Sequence, residues 1–235
     1  MDSFHEDKKE VGCVEKNHTH SDACGKGCHT HSLLKELVCH FPFAVFSVSL
    51  SMIIISLMSC VVIPSGVIHR LFHNFHFLHI VFSATGVILT FARYSSSLTG
   101  GIFAGLLIPT VFCTLSDSIL PYLGGEYLGI QMQFHWCFIS HLHIVLTFLV
   151  IGILNGYVLS RHFGVFKLFY SKGSHFLHIF VSSMAAILYL VSYGFSNWGS
   201  YMSFVFVYLI LAVLIPCTMA DIVIPTFFAK IKRGS

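Results

Sequence analysis

The sequence predicts an all-α fold, a polytopic membrane helix bundle whose six transmembrane helices form a 3+3 inverted-topology repeat. Its mean hydropathy is +0.81, and only 10% of its 235 residues are charged, against about 25% in soluble domains. Six apolar segments are long enough to cross a bilayer, and parts of the second half repeat the first. The chain has no Walker motif and no hydrolase constellation, so we do not expect an enzyme.

The six predicted spans follow from the length of apolar helix needed to cross the hydrocarbon core, about 20 residues. They are expected near 41–64, 72–93, 99–123, 134–159, 174–195 and 200–229. Polar or glycine- and proline-containing stretches separate them at 64–66, 95–101, 124–126, 161–173 and 197–200. The weakest boundary lies between the first two spans, because residues 69–79 are half polar.

The distribution of lysine and arginine predicts the orientation. With six spans and a cytoplasmic N-terminus, 12 of the 13 Lys and Arg residues fall on the cytoplasmic side, and only Arg70 lies outside. An excess of positive charge marks the cytoplasmic loops of membrane proteins. We therefore predict a multi-pass protein of the plasma membrane or a bacterial inner membrane, in contact with lipid and with both termini in the cytoplasm.

An internal repeat relates the two halves of the chain. The run His76-Phe77-Leu78-His79-Ile80 recurs as His175-Phe176-Leu177-His178-Ile179, and 10 of the 22 positions from 76 to 97 are identical in the second copy. Each copy holds three spans, and an odd number reverses the direction of the second copy. We therefore predict two inverted repeats, at 33–133 and 134–235, which is an architecture typical of secondary transporters.

A second motif recurs as well, and it carries an acid, a thiol and a proline. Cys113, Asp117 and Pro121 recur with the same spacing as Cys217, Asp221 and Pro225. Carboxylates inside a membrane span are costly and are functional candidates by default. A proline cannot donate to the carbonyl four residues earlier, so the backbone carbonyl of each Asp is expected to be freed at the position of its side chain.

The repeated side chains have the composition of a transition-metal site. Residues three or four apart share one face of a helix, so each half presents two imidazoles, a carboxylate and a thiol. This mixture suits Zn, Ni, Co or Fe better than Mg or Ca. The predicted membrane ligands are His76, His79, Cys113, Asp117, His175, His178, Cys217 and Asp221, with His135, His141 and His143 added by the fourth span. We expect two separate stations, an outer one at His79 and an inner one at His178.

The N-terminal tail, residues 1–32, contains a compact cluster of histidines and cysteines. Its predicted metal ligands are His18, His20, Cys24, Cys28, His29 and His31. Short His/Cys tracts of this kind bind Zn, Ni, Co or Cu. We predict a cytosolic metal-binding segment that affects affinity or regulation and leaves the membrane path intact.

These patterns together predict an integral membrane transporter of a divalent transition metal and argue against nucleic-acid binding. Two alternatives stay open. A b-type haem electron-transfer protein would use bis-His ligation, and a membrane subunit could transport an organic or metal-chelate ligand. A membrane non-haem iron oxygenase is disfavoured, because the chain has no adjacent His-His pair. The sequence leaves open the metal, the direction of transport, and whether a homo-oligomer or a partner subunit forms.

Overall fold

The computed structural model describes residues 33–59, 61, 63–134, 136–162, 167–196 and 198–233, which belong to one unit beginning at Ser32. The predicted tail ligands and His135 lie outside the described residues. Within the described part of the chain, all regular structure is helical. The helices are α1 (Leu33–Met58), α2 (Ser65–Tyr94), α3 (Leu98–Thr114), α4 (Leu120–Tyr127), α5 (Cys137–Ser140), α6 (Leu142–His162), α7 (Lys167–Ser192), α8 (Trp198–Thr218) and α9 (Ile224–Arg233).

Two π-helical turns, Leu115–Ile119 and Met219–Val223, join α3 to α4 and α8 to α9. The described chain therefore has seven continuous helices, six of which are long and apolar enough to cross a membrane. Those six segments are Leu37–Met58, Ser65–Tyr94, Leu98–Tyr127, Leu142–Arg161, His175–Ser192 and Ser200–Ala229. The predicted all-α architecture, with six helices long and apolar enough to cross a membrane, is confirmed.

Three predicted boundaries differ from the structure by six or more residues. The first span ends at Met58, where 64 was expected. The second span begins at Ser65, where 72 was expected, because the backbone stays helical through this half-polar stretch, with His69 and His73 partly buried and Arg70 exposed. The fourth span begins at Leu142, where 134 was expected. The preceding residues form the single-turn helix α5 and irregular chain, so apolar composition there does not reflect a spanning helix.

Helices α2 and α7, which carry the repeated histidines, lie in the interior of the bundle. Helix α2 packs against α3, α6, α7 and α9, and α7 packs against α1, α2 and α8. Large apolar side chains such as Phe46, Leu57 and Leu154 are exposed on the outer helices. An exposed apolar exterior, with the buried polar side chains kept inside the bundle, is the distribution that contact with lipid requires.

Two glycines set the close approach of α6 to α2. A Cβ atom on Gly152 would lie 2.7 Å from both the Val81 carbonyl oxygen and the Ala84 Cβ, and one on Gly156 would lie 2.7 Å from the Ile88 Cβ. Small residues spaced by four let helix backbones approach closely in membranes. Neither position has room for a side chain.

Replacing Gly152 with alanine is expected to destabilise the bundle by about 1–3 kcal/mol, because the new methyl group overpacks this interface. The measurement is thermal unfolding of purified protein in detergent. Gly66→Ala is the matched control, since nothing lies within 4 Å of its Cβ position. An unfolding temperature for Gly152→Ala equal to that of the control would contradict the expected overpacking.

Candidate metal centre

Both repeated aspartates lie in π-helical turns. Asp117 is in the turn Leu115–Ile119, and Asp221 is in the turn Met219–Val223. A proline follows each Asp by four residues and has no N–H to continue the α-helical hydrogen bonds. The wider turn that results is a form found frequently at functional sites. A π-helical interruption is present at both aspartates, and the freed aspartate carbonyl stays a prediction.

The first carboxylate, Asp117, is fully buried and has four hydrogen-bond partners. Its Oδ2 atom lies 2.9 Å from His76 Nδ1 and 2.7 Å from His79 Nδ1. Its Oδ1 atom accepts from the Ser116 hydroxyl at 2.7 Å and from the Ser182 hydroxyl at 2.8 Å. Because a buried carboxylate is costly without such partners, these contacts fix both the acid and the two rings.

The second carboxylate, Asp221, contacts the second histidine pair in the same way. Its Oδ2 atom lies 2.7 Å from His178 Nδ1 and 3.4 Å from His175 Nδ1. Its Oδ1 atom is buried without a hydrogen-bond partner, beside Gly86, whose missing side chain leaves room for it. Each histidine pair therefore contacts the aspartate of its own half of the chain.

The two halves meet at the centre of the bundle. Nε2 of His79 lies 2.7 Å from Nε2 of His178, and the Cys217 sulfur lies 3.6 Å from the same His79 nitrogen. One nitrogen from each ring and this sulfur all lie within 4.8 Å of one another, and all three residues are buried. The two separate stations expected from the sequence are instead one cluster, because α2 and α7 cross at their repeated histidines.

The hydrogen bonds of these two rings suit the cluster to hold a cation. An ionised carboxylate only accepts hydrogen bonds, so Nδ1 of His79 and Nδ1 of His178 both donate to their aspartates. A neutral imidazole has only one N–H, which leaves a lone pair on each Nε2 atom. Two lone pairs that face each other at 2.7 Å repel unless a cation, either a proton or a metal ion, lies with them.

The residues present fit a transition-metal ion. Two imidazole nitrogens and a thiolate are ligands of tetrahedral zinc, and a carboxylate behind each ring is the usual support for a metal-binding histidine. Two metal–nitrogen bonds of about 2.0–2.1 Å at a tetrahedral angle hold the nitrogens about 3.3 Å apart, so an ion would separate the rings by about 0.6 Å. The group of His79, His178 and Cys217 could hold such an ion, with a fourth position left for exchange.

The other predicted ligands take different places. Asp117, Asp221, His76 and His175 stand behind the ligand group as hydrogen-bond or ion-pair partners. Cys113 is buried and interacts electrostatically with His79, outside the three-residue group. The structure places His141 beside His73, with their ring centres 5.2 Å apart, and His143 exposed on α6.

Sequence reasoning missed Ser182, which donates to Asp117 from the other half of the chain. A signal was available, because Ser83 and Ser182 are one of the identical pairs of the repeat. It also missed His40, whose ring centre lies 4.9 Å from that of His175, and Cys137, whose sulfur lies 3.6 Å from His73 Nδ1. These contacts depend on helix packing and have no local sequence pattern.

Comparisons with protein-family models, curated proteins and solved structures found no match to this chain. Function therefore has to be inferred from the residues and their geometry. The observations that bear on it are six helices able to cross a membrane and a buried His/Cys group that could hold a metal ion.

Proposed function

We propose that the protein is an integral membrane transporter of a divalent transition-metal ion of the Zn, Ni, Co or Fe class. The observation that carries the proposal is the buried group of His79, His178 and Cys217, in which two Nε2 atoms lie 2.7 Å apart and each ring is held by its own aspartate. A metal ion that stays bound and only stabilises the fold would need the same ligands, so the ligands alone do not distinguish it from a transported ion. The features that favour transport are the depth of the group and the polar residues that lead to it from both ends.

The depth of the group is the first of these features. His79 lies at the middle of the span Ser65–Tyr94, roughly 20 Å from either end of the helix at 1.5 Å per residue. Intramembrane polar groups are expensive and mark ion pathways. An ion at His79 has to pass through the interior of the bundle to arrive or to leave.

From one end, histidines lead along α2 to this depth. His69 and His73 lie in the first turns of α2, with their Nε2 atoms 3.2 Å apart. Cys137 interacts with both His73 and His76. His76 in turn shares the Asp117 carboxylate with His79. Polar groups are therefore continuous from the start of α2 to the centre.

From the other end, a tightly closed pocket lies beside the second aspartate. It is lined by His40, His175, Ile179, Cys217, Thr218 and Asp221. The unpartnered Oδ1 atom of Asp221 is an oxygen available to an ion that passes. Because successive spans run in opposite directions, α1 and α7 begin on one face of the bundle, and α2 and α6 begin on the other. The two sets of polar residues therefore lie towards opposite faces.

We further propose that the ion site lies at the interface of two inverted repeats, 33–133 and 134–235. The support is that corresponding residues make corresponding contacts, since His79–Asp117 and His178–Asp221 are both 2.7 Å. In addition, α1 of the first repeat packs on α7 of the second. The corresponding helix of the second repeat, α6, packs on α2 of the first. Both termini and the tail cluster are proposed to be cytoplasmic, on the charge distribution.

The alternative of a haem protein has less support. Two axial histidines must hold a porphyrin plane between them, and the 2.7 Å between His79 and His178 leaves no room for it. Transport of an organic or chelated ligand can be distinguished from transport of the free ion by experiment. Such a ligand would compete with the free ion for transport.

The test is ion flux into liposomes that contain the purified full chain, with a metal-sensitive dye inside and Zn²⁺, Co²⁺ or Ni²⁺ outside. We expect flux above that of empty liposomes, and loss of at least about tenfold in Cys217→Ser, because the serine hydroxyl is a poor ligand for these ions. Cys113→Ser is the matched variant from the other half, and its flux is expected to stay within about twofold of that of the unchanged protein. Flux equal to that of empty liposomes, or unaffected by Cys217→Ser, would overturn the proposal.

A further inference from the structure

A second cluster of histidines lies at the end of the bundle where α2 and α6 begin. It consists of His69 and His73 on α2 and His141 just before α6, and we name it the α2–α6 histidine cluster. Each of its three rings is half-buried. The pairs His69–His73 and His73–His141 are in ring contact, with centres 4.7 Å and 5.2 Å apart, and His69 also interacts electrostatically with His141.

The spacing of the first pair suits a shared metal ion. The Nε2 atoms of His69 and His73 lie 3.2 Å apart, close to the separation of about 3.3 Å that two zinc–nitrogen bonds impose at a tetrahedral angle. Residues four apart on a helix project from the same face, so the backbone already aligns both rings. In contrast to the central histidine pair, these rings need no further separation.

The surroundings of the cluster supply a third ligand and an onward contact. His141 brings a third imidazole from a different part of the chain, and three histidines are a known ligand set for zinc with an open fourth position. The nitrogens of the three rings do not all lie within 4.8 Å of one another, so an ion here would draw the His141 ring inwards. On the other side of His73, the buried Cys137 sulfur lies 3.6 Å from Nδ1. Cys137 also interacts with His76, the first residue of the central network.

We propose that His69, His73 and His141 form a second transition-metal site, separate from the central group, at which an ion binds before it moves inwards past Cys137 and His76. All three ligands are neutral imidazoles, so the site binds more weakly than the central group with its thiolate and supporting carboxylates. An ion held weakly near one face can pass to the tighter site. The delivery role rests on the proposed transport function, whereas metal binding at the cluster does not.

The test reads each histidine separately, so that the N-terminal tail cannot dominate the signal. The full chain in detergent is treated with diethyl pyrocarbonate, with and without Zn²⁺, and the modified histidines are quantified by peptide mass spectrometry. We expect Zn²⁺ to reduce modification of His69, His73 and His141 together by at least about fivefold. His143, which is exposed two residues after His141, is the internal control and should be unaffected.

Two variants establish whether the three rings act as one site. His69→Ala should abolish Zn²⁺ protection of His73 and His141, and His141→Ala, which alters a different segment, should abolish protection of His69 and His73. Protection that persists in both variants, or that is absent from the unchanged protein, would overturn the proposal. Agreement between the variants would support it.

The delivery role is read from flux in the same liposomes used for the proposed function. His69→Ala should raise the Zn²⁺ concentration for half-maximal flux by about tenfold, as expected for loss of a loading site. An unchanged half-maximal concentration would contradict delivery. Zn²⁺ protection without any flux in the unchanged protein would leave the second site standing and refute the transport function.

Discussion

Replacing Asp117 with asparagine is expected to lower the affinity of the central group for Co²⁺ or Zn²⁺ by about 100-fold and to abolish flux. Loss of a supporting carboxylate behind a metal-binding histidine costs about 10–100-fold. Asp117 supports two rings and has four hydrogen-bond partners, so the effect should reach the upper end of that range. The asparagine side chain has one accepting oxygen and one donating nitrogen. It therefore cannot accept hydrogen bonds on both sides, as the two oxygens of the carboxylate do.

The measurement is Co²⁺ binding followed by absorption, in full chains whose tail residues Cys13, Cys24 and Cys28 are replaced with serine. A matched pair separates the support of Asp117 from general disruption of the core. Ser182→Ala removes one donor to Asp117 and should lower affinity by about tenfold. Ser83→Ala, at the corresponding repeat position, removes a hydroxyl that has no partner. This variant should bind Co²⁺ as tightly as the unchanged protein. Equal affinities for Asp117→Asn and Ser83→Ala would refute this role for Asp117.

Replacing His178 with alanine is expected to abolish Co²⁺ binding at the centre and to reduce flux to that of empty liposomes. The change removes one of three ligands and leaves His79 without its 2.7 Å contact. It also leaves Asp221 buried with only the 3.4 Å contact to His175. A buried charge that loses a partner costs about 3–5 kcal/mol, so a lower unfolding temperature is expected as well.

His175→Ala is the comparison for this variant. The two histidines share Asp221, but His175 makes the longer contact and its side chain is 28% exposed, against 2% for His178. Its loss should slow flux several-fold and leave Co²⁺ binding at the centre nearly unchanged. Cys217→Ser in the same assay removes the sulfur-to-cobalt absorption without removing either ring. If His178→Ala binds Co²⁺ as tightly as His175→Ala does, the ligand assignment is wrong.

Much of the site could be predicted because its parts recur in the chain. The spacings His76–His79 and Cys113–Asp117 place each pair on one helix face, and the two prolines predict an interruption at each aspartate. Apolar length predicted the six crossing helices. All of these are local properties, since they depend on residues within a few turns of one another.

The contacts between the two halves could not be predicted in this way. The position of a residue along the chain predicted separate outer and inner stations, whereas His79 and His178 are in contact. Ser182 reaches Asp117 across the halves, and its counterpart Ser83 has no partner. The angle and depth at which two helices cross depend on shape at many positions, such as Gly152 and Gly156, and not on the polar residues themselves.

The sequence by itself determined the membrane class, the six helices and the residue types available to an ion, because hydrophobic length and helical spacing are local. Only the tertiary structure decided which of those residues meet. It selects His79, His178 and Cys217 as one group and leaves Cys113 outside it. The physical reason is that a metal site needs ligand atoms within a few ångströms, and that distance is set by the packing of α2, α7 and α8.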